Sequence, residues 1–289
     1  MPIRPVGVGH LTMLDAAPPD WVQLARDAGF EAVGIRIGAA SPAEEPWPIT
    51  AGSPMLAATL ARLAATGMVV QDVEIITITP ETVAQRYDPL FEVGARLGAR
   101  FFNVMVTDSD VARAHDTFAA LCQRALPYGL RPCMEGISYT AVRDLATAST
   151  VLAGTGGGLI VDPLHLQRSG DDVTDLRQVD PAALGYLQLC DGPLEVPTAI
   201  PIPSRMPRGQ PVDGNMRQLE SRAGRLLPGE GEIPVVEFTA ALPADLPVSV
   251  EAPNRQLLDA LGPLAFLRRA RTAAQRVLDE AANAGTVRP

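Results

Sequence analysis

Short apolar runs alternate along this chain with longer stretches in which apolar residues recur every three or four positions. The short runs, bounded by Gly and Pro, read as strands covered on both faces, and the longer stretches as amphipathic helices. Strands are predicted at 4–8, 32–37, 69–76, 101–105, 131–135, 159–162, 186–190 and 247–251, and helices at 20–28, 53–66, 81–97, 109–125, 139–153, 172–178, 232–241 and 256–283. Asp20 is the expected N-cap of the first helix; Ala28-Gly29 and Leu97-Gly98 read as helix ends. Eight βα units in succession predict an α/β fold, a single (β/α)8 TIM barrel over 1–289. An open doubly wound sheet is the alternative. It is disfavoured because no GxGxxG follows an early strand, and the cluster Gly154, Gly156, Gly157, Gly158 precedes a strand instead of joining strand to helix. Two segments break the rhythm. The Pro-, Gly- and Arg-rich stretch 193–229 after the seventh strand is a candidate lid loop, and 284–289 is expected to be a loose tail.

Four strand ends carry polar residues. Arg131-Pro-Cys-Met-Glu135 ends in an acid, and Leu159-Ile-Val-Asp162-Pro-Leu-His165 places Asp and His three residues apart. Tyr186-Leu-Gln188-Leu-Cys-Asp191 carries an amide and an acid, and Pro247-Val-Ser-Val-Glu251 ends in an acid. Barrel enzymes build their sites at the carboxyl ends of their strands. One such acid reads as a solvated strand end; four in phase form an oxygen-rich set suited to a hard or borderline divalent ion.

Composition narrows the chemistry. At 289 residues and 47% hydrophobic the chain can bury a large core, and its 27 Pro and 25 Gly are spread without a linker-like cluster. A net charge of −9 argues against nucleic acid or an anionic membrane surface as partner. No apolar run has a spanning length, and Met-Pro-Ile-Arg-Pro lacks the build of a secretory signal, so a cytoplasmic location is expected. There is no lysine, which removes Schiff-base chemistry and a P-loop. With only His10, His115 and His165, no histidine-rich multi-zinc site can be assembled. Cys122, Cys133 and Cys190 share no CxxC spacing and read as reduced, buried thiols.

Taken together, Glu135 in Cys-Met-Glu-Gly, Asp162-x-x-His165, Gln188 in Leu-Gln-Leu-Cys-Asp, Glu251 in Ser-Val-Glu-Ala-Pro and the segment Pro228-Gly-Glu-Gly-Glu-Ile233 resemble the sugar phosphate isomerase/epimerase superfamily, the xylose-isomerase-like barrels. These include ketose 3-epimerases, inosose dehydratases, hydroxypyruvate isomerase and 3-dehydroshikimate dehydratases. The resemblance implies that Glu135, Asp162, Gln188 and Glu251 hold one divalent metal, Mn²⁺ or Mg²⁺ ahead of Co²⁺ or Zn²⁺. It also implies a small sugar or cyclic hydroxy-ketone substrate and homo-oligomers. Gln188 departs from the histidine of most epimerases. An amide oxygen is the harder ligand, which favours Mg²⁺ or Mn²⁺ over zinc and brings the dehydratases into view.

With a carbonyl bound in such a site, Glu135 or Glu251 removes the α-proton and the other returns it, while His165 serves the carbonyl oxygen or holds a ligand from behind. Arg225, Glu74, His10, Arg36 and Asn103 are expected to contact substrate. For Glu74 the competing reading is a structural ion pair with Arg36, and for Arg225 a solvated loop charge. His115 is expected at the surface, and Trp47 either lines the pocket or packs a loop. The reading is a metal-dependent isomerase or epimerase of a sugar-like α-hydroxy ketone. A dehydratase on the same site, a non-catalytic binding or partner subunit and a repair-type endonuclease are the alternatives.

Overall fold

The computed structural model describes residues 5–203 and 205–286. Its eight strands are β1 (Val6–Val8), β2 (Ala32–Arg36), β3 (Val69–Ile78), β4 (Phe101–Val106), β5 (Arg131–Glu135), β6 (Gly158–Val161), β7 (Leu184–Leu189) and β8 (Val248–Val250). They pair in chain order, all parallel, and β8 closes onto β1 through Val6↔Val248, Gly7↔Ser249 and Val8↔Val250. The predicted (β/α)8 barrel is therefore the fold.

A barrel strand alternates its side chains between the interior and the surrounding helices. The outward set includes Val33, Ile35, Val73, Phe102, Val104, Met134, Val161, Leu187 and Val250, which join helix residues such as Trp21, Phe91, Phe118 and Phe266 in one large core. The inward set forms a separate cluster of Phe101, Cys133, Ile160 and Tyr186. Two residues further along the same strands, on the same parity, stand Asn103, Glu135, Asp162 and Gln188. Period two thus lifts a polar layer onto an apolar one at the carboxyl mouth. On the other wall Gly34 belongs to this inward set. A Cβ there would lie 2.8 Å from Asp72 Oδ2 and 2.9 Å from Glu74 Oε1, so the missing side chain makes room for two acids.

The helices are α1 (Pro18–Ala28), α2 (Pro54–Thr66), α3 (Asp88–Leu97), α4 (Val111–Ala125), α5 (Leu145–Leu152), α6 (Pro163–Ser169), α7 (Val173–Leu176), α8 (Met216–Ala223), α9 (Val235–Ala240), α10 (Arg255–Leu261) and α11 (Pro263–Thr286). Several differ from the sequence expectation for identifiable reasons. Asp20 is not the N-cap: Ala17 is, and Pro18 starts the helix because it needs no N–H there. The expected helix at 81–97 splits into a 3-10 turn, Ala84–Tyr87, and α3, whose first turn accepts Pro89. The expected helix at 139–153 begins only after its cap, Asp144. Helix α6 was not expected at all, although Asp162-Pro163 is an N-cap followed by a first-turn proline. The single helix expected at 256–283 breaks between α10 and α11 at Gly262, whose φ of +76° suits glycine, ahead of Pro263. The stretch 193–229 is not all loop, since Asn215 and Gln218 cap α8 reciprocally. Helix α11 runs to Thr286, so 284–286 is helical, and the rest of the tail expected at 284–289 lies outside the described residues, as does residue 4 of the first expected strand. Among the described residues, no helix is long and apolar enough to cross a membrane.

Candidate active site

The mouth of the barrel opens into a cavity of about 390 Å³ whose wall includes Arg36, Asn103, Glu135, His165, Arg225 and Glu251. Its centre is a web of buried charge. Arg225, 1% exposed, pairs with Asp162 and lies 3.2 Å from Glu251 Oε2, and its Nε donates to the carbonyl of Ser221 at 3.0 Å. Asp162 Oδ1 accepts from the N–H groups of Leu164 at 2.9 Å and His165 at 3.3 Å, so one carboxylate both caps α6 and anchors the arginine. Gln188 Nε2 donates to Glu251 Oε1 at 3.0 Å. His165 Nε2 lies 3.5 Å from Glu135 Oε1 and 3.4 Å from Ser221 Oγ, while its Nδ1 is 3.2 Å from Ser138 Oγ.

Burial governs the ionisation of these groups. It pushes Glu135 well above the usual carboxylate range, and the charges of Glu251 and Asp162 add to the effect. Burial also raises Glu251, to about 7, against the pull of Arg225. For Asp162 burial pushes upward too, but the Arg225 guanidinium beside it wins and holds the carboxyl below its ordinary value. His165 is lowered to about 4 by burial, so the imidazole is neutral at pH 7.

The residues present suit a divalent cation. Glu135 Oε1 and Gln188 Oε1 are buried with no hydrogen-bond partner, and both belong to the ligand set that the resemblance implies. Three carboxyls surround one guanidinium, and the surplus negative charge calls for either protons or a dication. Ligand atoms of Glu135, Asp162 and His165 all lie within 4.8 Å of one another. His165 thus offers a ligand atom beside two of the expected ones, and Glu251 is held by Arg225 and Gln188.

The structure sorts the residues expected to touch substrate. Arg36, Asn103 and Arg225 line the cavity; Glu74 and His10 do not. Glu74 is committed to Arg36 Nε at 3.0 Å and to the backbone N–H of His10 at 3.0 Å, which is the ion-pair reading. His10 accepts from the Arg36 N–H at 3.0 Å through Nδ1, so its Nε2 carries the proton that meets the Ala16 carbonyl at 2.9 Å. Its ring stacks on Trp21 at 5.3 Å. The substrate-contact expectation for His10 is corrected on these grounds: both ring nitrogens are used by backbone. Arg225 is buried and paired, not a solvated loop charge, and His115 is partly exposed beside Asp116. Trp47 packs a loop under Arg208, whose guanidinium carbon sits 4.1 Å from the ring centre. Three residues that sequence reasoning missed also shape the site. Tyr139 meets His165 edge-on at 5.6 Å, and Ser138 and Ser221 flank the imidazole. Ser138 and Tyr139 lie in the loop after β5 and Ser221 in α8, inside the stretch read as a loop, so no pattern marked them as site residues.

His10 makes the fold sensitive to acid. Burial lowers its pKa from 6.5 to about 3, so the unfolded chain takes up the proton first as pH falls. The contribution is complete above 6.5 and is lost between 6.5 and 3. Wild type is expected to lose about 2–3 kcal/mol more than His10→Gln between pH 6.5 and 4.5, read from urea midpoints. Parallel losses in both proteins would remove His10 from the account.

Fold and site together define a (β/α)8 TIM barrel with a carboxylate-rich centre at its carboxyl face. No protein-family model and no curated protein matches the chain. Solved structures do. The IOLI protein, determined with a bound zinc atom, superposes with a TM-score of 0.70 at 15% identity, covering 96% of this chain and 99% of that one. A xylose isomerase domain protein from Alicyclobacillus acidocaldarius gives 0.68 at 22% identity, covering 96% and 99%. A D-psicose 3-epimerase, determined in the presence of D-fructose, gives 0.64 at 13% identity, covering 95% and 99%. At these identities the likeness is one of fold.

Proposed function

We propose that this protein is a divalent-metal-dependent isomerase or epimerase of a sugar or sugar-like α-hydroxy ketone. The observation that carries the reading is the placing of two glutamates around one cavity, Glu135 at the end of β5 and Glu251 just after β8. Three strands apart in an eight-stranded barrel, they approach a bound molecule from well-separated directions. One can remove a proton α to a carbonyl and the other can supply one to the opposite face. A bound dication would act as a Lewis acid toward the carbonyl and neighbouring hydroxyl, stabilising charge as the proton leaves. Glu135, Asp162 and His165 are the residues to hold it, with Gln188 Oε1 free to contribute. Arg225 keeps Asp162 and Glu251 in place. Neutral His165, wedged between two serine hydroxyls, can hand a proton to the substrate's carbonyl oxygen or hold a ligand.

The zinc of the IOLI protein and the D-fructose of the D-psicose 3-epimerase agree with this reading at the level of ligand class. Dehydration is the second reading. Gln188, hydrogen-bonded to Glu251, stands where most epimerases carry histidine. The same α-proton removal becomes elimination if a β-hydroxyl leaves, and product mass then falls by one water.

Two measurements test the proposal. Elemental analysis of the purified protein is expected to find near-stoichiometric divalent metal that Asp162→Ala loses. Chelation is expected to lower Tm, and Mn²⁺ or Mg²⁺ to restore it. In D2O the metal-loaded enzyme is expected to place deuterium on the carbon next to the carbonyl of a ketose. An enzyme that binds no metal and exchanges no proton with any of a panel of keto sugars and keto-cyclitols would not have this function.

A further inference from the structure

The far side of the cavity differs from the charged centre. Strand β2 lies diametrically across the barrel from β6, which carries Asp162 and His165 at its end. On that far side Arg36, Ser41 and Glu44 line the cavity together with Gln210 from the long segment after β7. The two segments are held together there: the Glu45 N–H donates to the Arg208 carbonyl at 2.8 Å, and Arg208 Nε donates to the Glu45 carbonyl at 2.9 Å.

Each of the four lining residues has a buried polar atom without a hydrogen-bond partner: Arg36 Nη1, Ser41 Oγ, Glu44 Oε1 and Gln210 Oε1. Leaving such a group without a hydrogen bond costs about 1–3 kcal/mol; Ser41 Oγ and Gln210 Oε1 have none, and Arg36 Nη1 and Glu44 Oε1 meet only as an ion pair, so the wall suits a ligand or ordered water that satisfies them. Arg36 Nη1 and Glu44 Oε1 are 3.5 Å apart, one a donor and the other an acceptor. Neighbouring hydroxyls of a polyol suit such a pair, because each hydroxyl both donates and accepts.

The charge balance selects among ligands. Arg36 is bracketed by Glu74 at 3.0 Å and Glu44 at 3.5 Å, and Arg225 by Asp162 and Glu251. Neither guanidinium has positive charge to spare for an anion. Arg222, which also lines the cavity, directs Nη1 to the carbonyls of Pro211 and Asp213. A phosphate or carboxylate placed here would face Glu44 across a low-dielectric gap.

We propose that Arg36, Ser41, Glu44 and Gln210 form a hydroxyl-reading subsite, and that the substrate is an uncharged polyhydroxylated ketone whose vicinal diol bridges Arg36 and Glu44. The proposal rests on the proposed function for the orientation of the substrate, with its carbonyl at the acidic centre and its hydroxyl tail at the subsite.

Calorimetry with D-fructose, D-psicose and D-fructose 6-phosphate on the metal-loaded protein tests it. At least one free ketose is expected to bind about tenfold or more tightly than the phosphate ester. Glu44→Gln is expected to weaken free-ketose binding about tenfold, the loss of one charged hydrogen bond. In turnover it should raise KM and leave kcat near wild type. Ser41→Ala, in a loop, is the second variant should Glu44→Gln fail to fold, with a smaller loss in the same direction. Tighter binding of the phosphate ester, unaltered ketose binding in both variants, or no ketose binding at all would each overturn the subsite. The two proposals fail separately. Ketose binding that Glu44→Gln weakens, with no deuterium uptake by wild type, would keep the subsite and remove the chemistry. Deuterium uptake whose KM ignores both variants would keep the chemistry and remove the subsite.

Discussion

Glu251→Gln and Glu135→Gln are each expected to fold as wild type and to lose 10²- to 10⁴-fold in isomerisation or epimerisation rate, the usual contribution of a positioned general acid or base. The substitution is nearly isosteric. At position 251 the amide oxygen can still accept from Gln188 Nε2, so the hydrogen bond seen at 3.0 Å need not be lost. The ability to take a proton disappears, and at position 251 so does the negative charge facing Arg225 Nη2 at 3.2 Å. The two variants should nevertheless differ in detail. The one lacking the residue that removes the proton should neither exchange nor invert. The other should still wash deuterium from solvent into substrate while failing to make the epimer. Deuterium-exchange NMR beside product chromatography separates these behaviours. Near-wild-type rates in both variants would end the two-glutamate scheme.

Arg168→Leu is expected to cost about 3–5 kcal/mol, which a domain of ordinary stability barely survives. Arg168, in the last turn of α6, makes a bidentate pair with Glu220 of α8, through Nε to Oε2 at 2.8 Å and Nη2 to Oε1 at 2.6 Å. The same guanidinium donates to the carbonyls of Pro193 and Leu194, each at 2.8 Å, and so fastens the start of the long segment after β7. Both side chains are sealed, at 2% and 0% exposure. Removing the arginine strands a buried carboxylate and two carbonyls at once. Arg168→Leu with Glu220→Leu is expected to recover much of the loss, because the buried charge goes with its partner. Denaturant midpoints of the two single variants and the double variant measure the coupling. A cost below about 1 kcal/mol for Arg168→Leu would show that the pair contributes no more than a surface bridge.

Much of this molecule could be read from the linear chain, for a definite reason. Strand positions follow from short apolar runs between Gly and Pro, and a parallel barrel buries both faces of every strand, so those runs survive tertiary context. Glu135, Asp162 and Glu251 were legible because each closes such a run, Gln188 because it interrupts one near its end, and the carboxyl ends of all strands meet at one mouth. Helix boundaries were less legible. Asp162-Pro163 was read as a strand end and a possible ligand, when it also starts α6: one residue serves two roles, and the pattern displays only one.

What the chain alone determined is the barrel, the carboxyl and amide side chains at its mouth and the lack of lysine and clustered histidine. Those depend on periodicity and residue type, which are local. Tertiary structure alone decided that Arg225 lies between Asp162 and Glu251, that His10 belongs to the backbone and not to the cavity, and that Glu44 and Gln210 share a wall. These partners are separated by tens to hundreds of residues and sit in loops without a period. Only closure of the barrel, which brings every βα loop to one face, sets them within hydrogen-bonding reach.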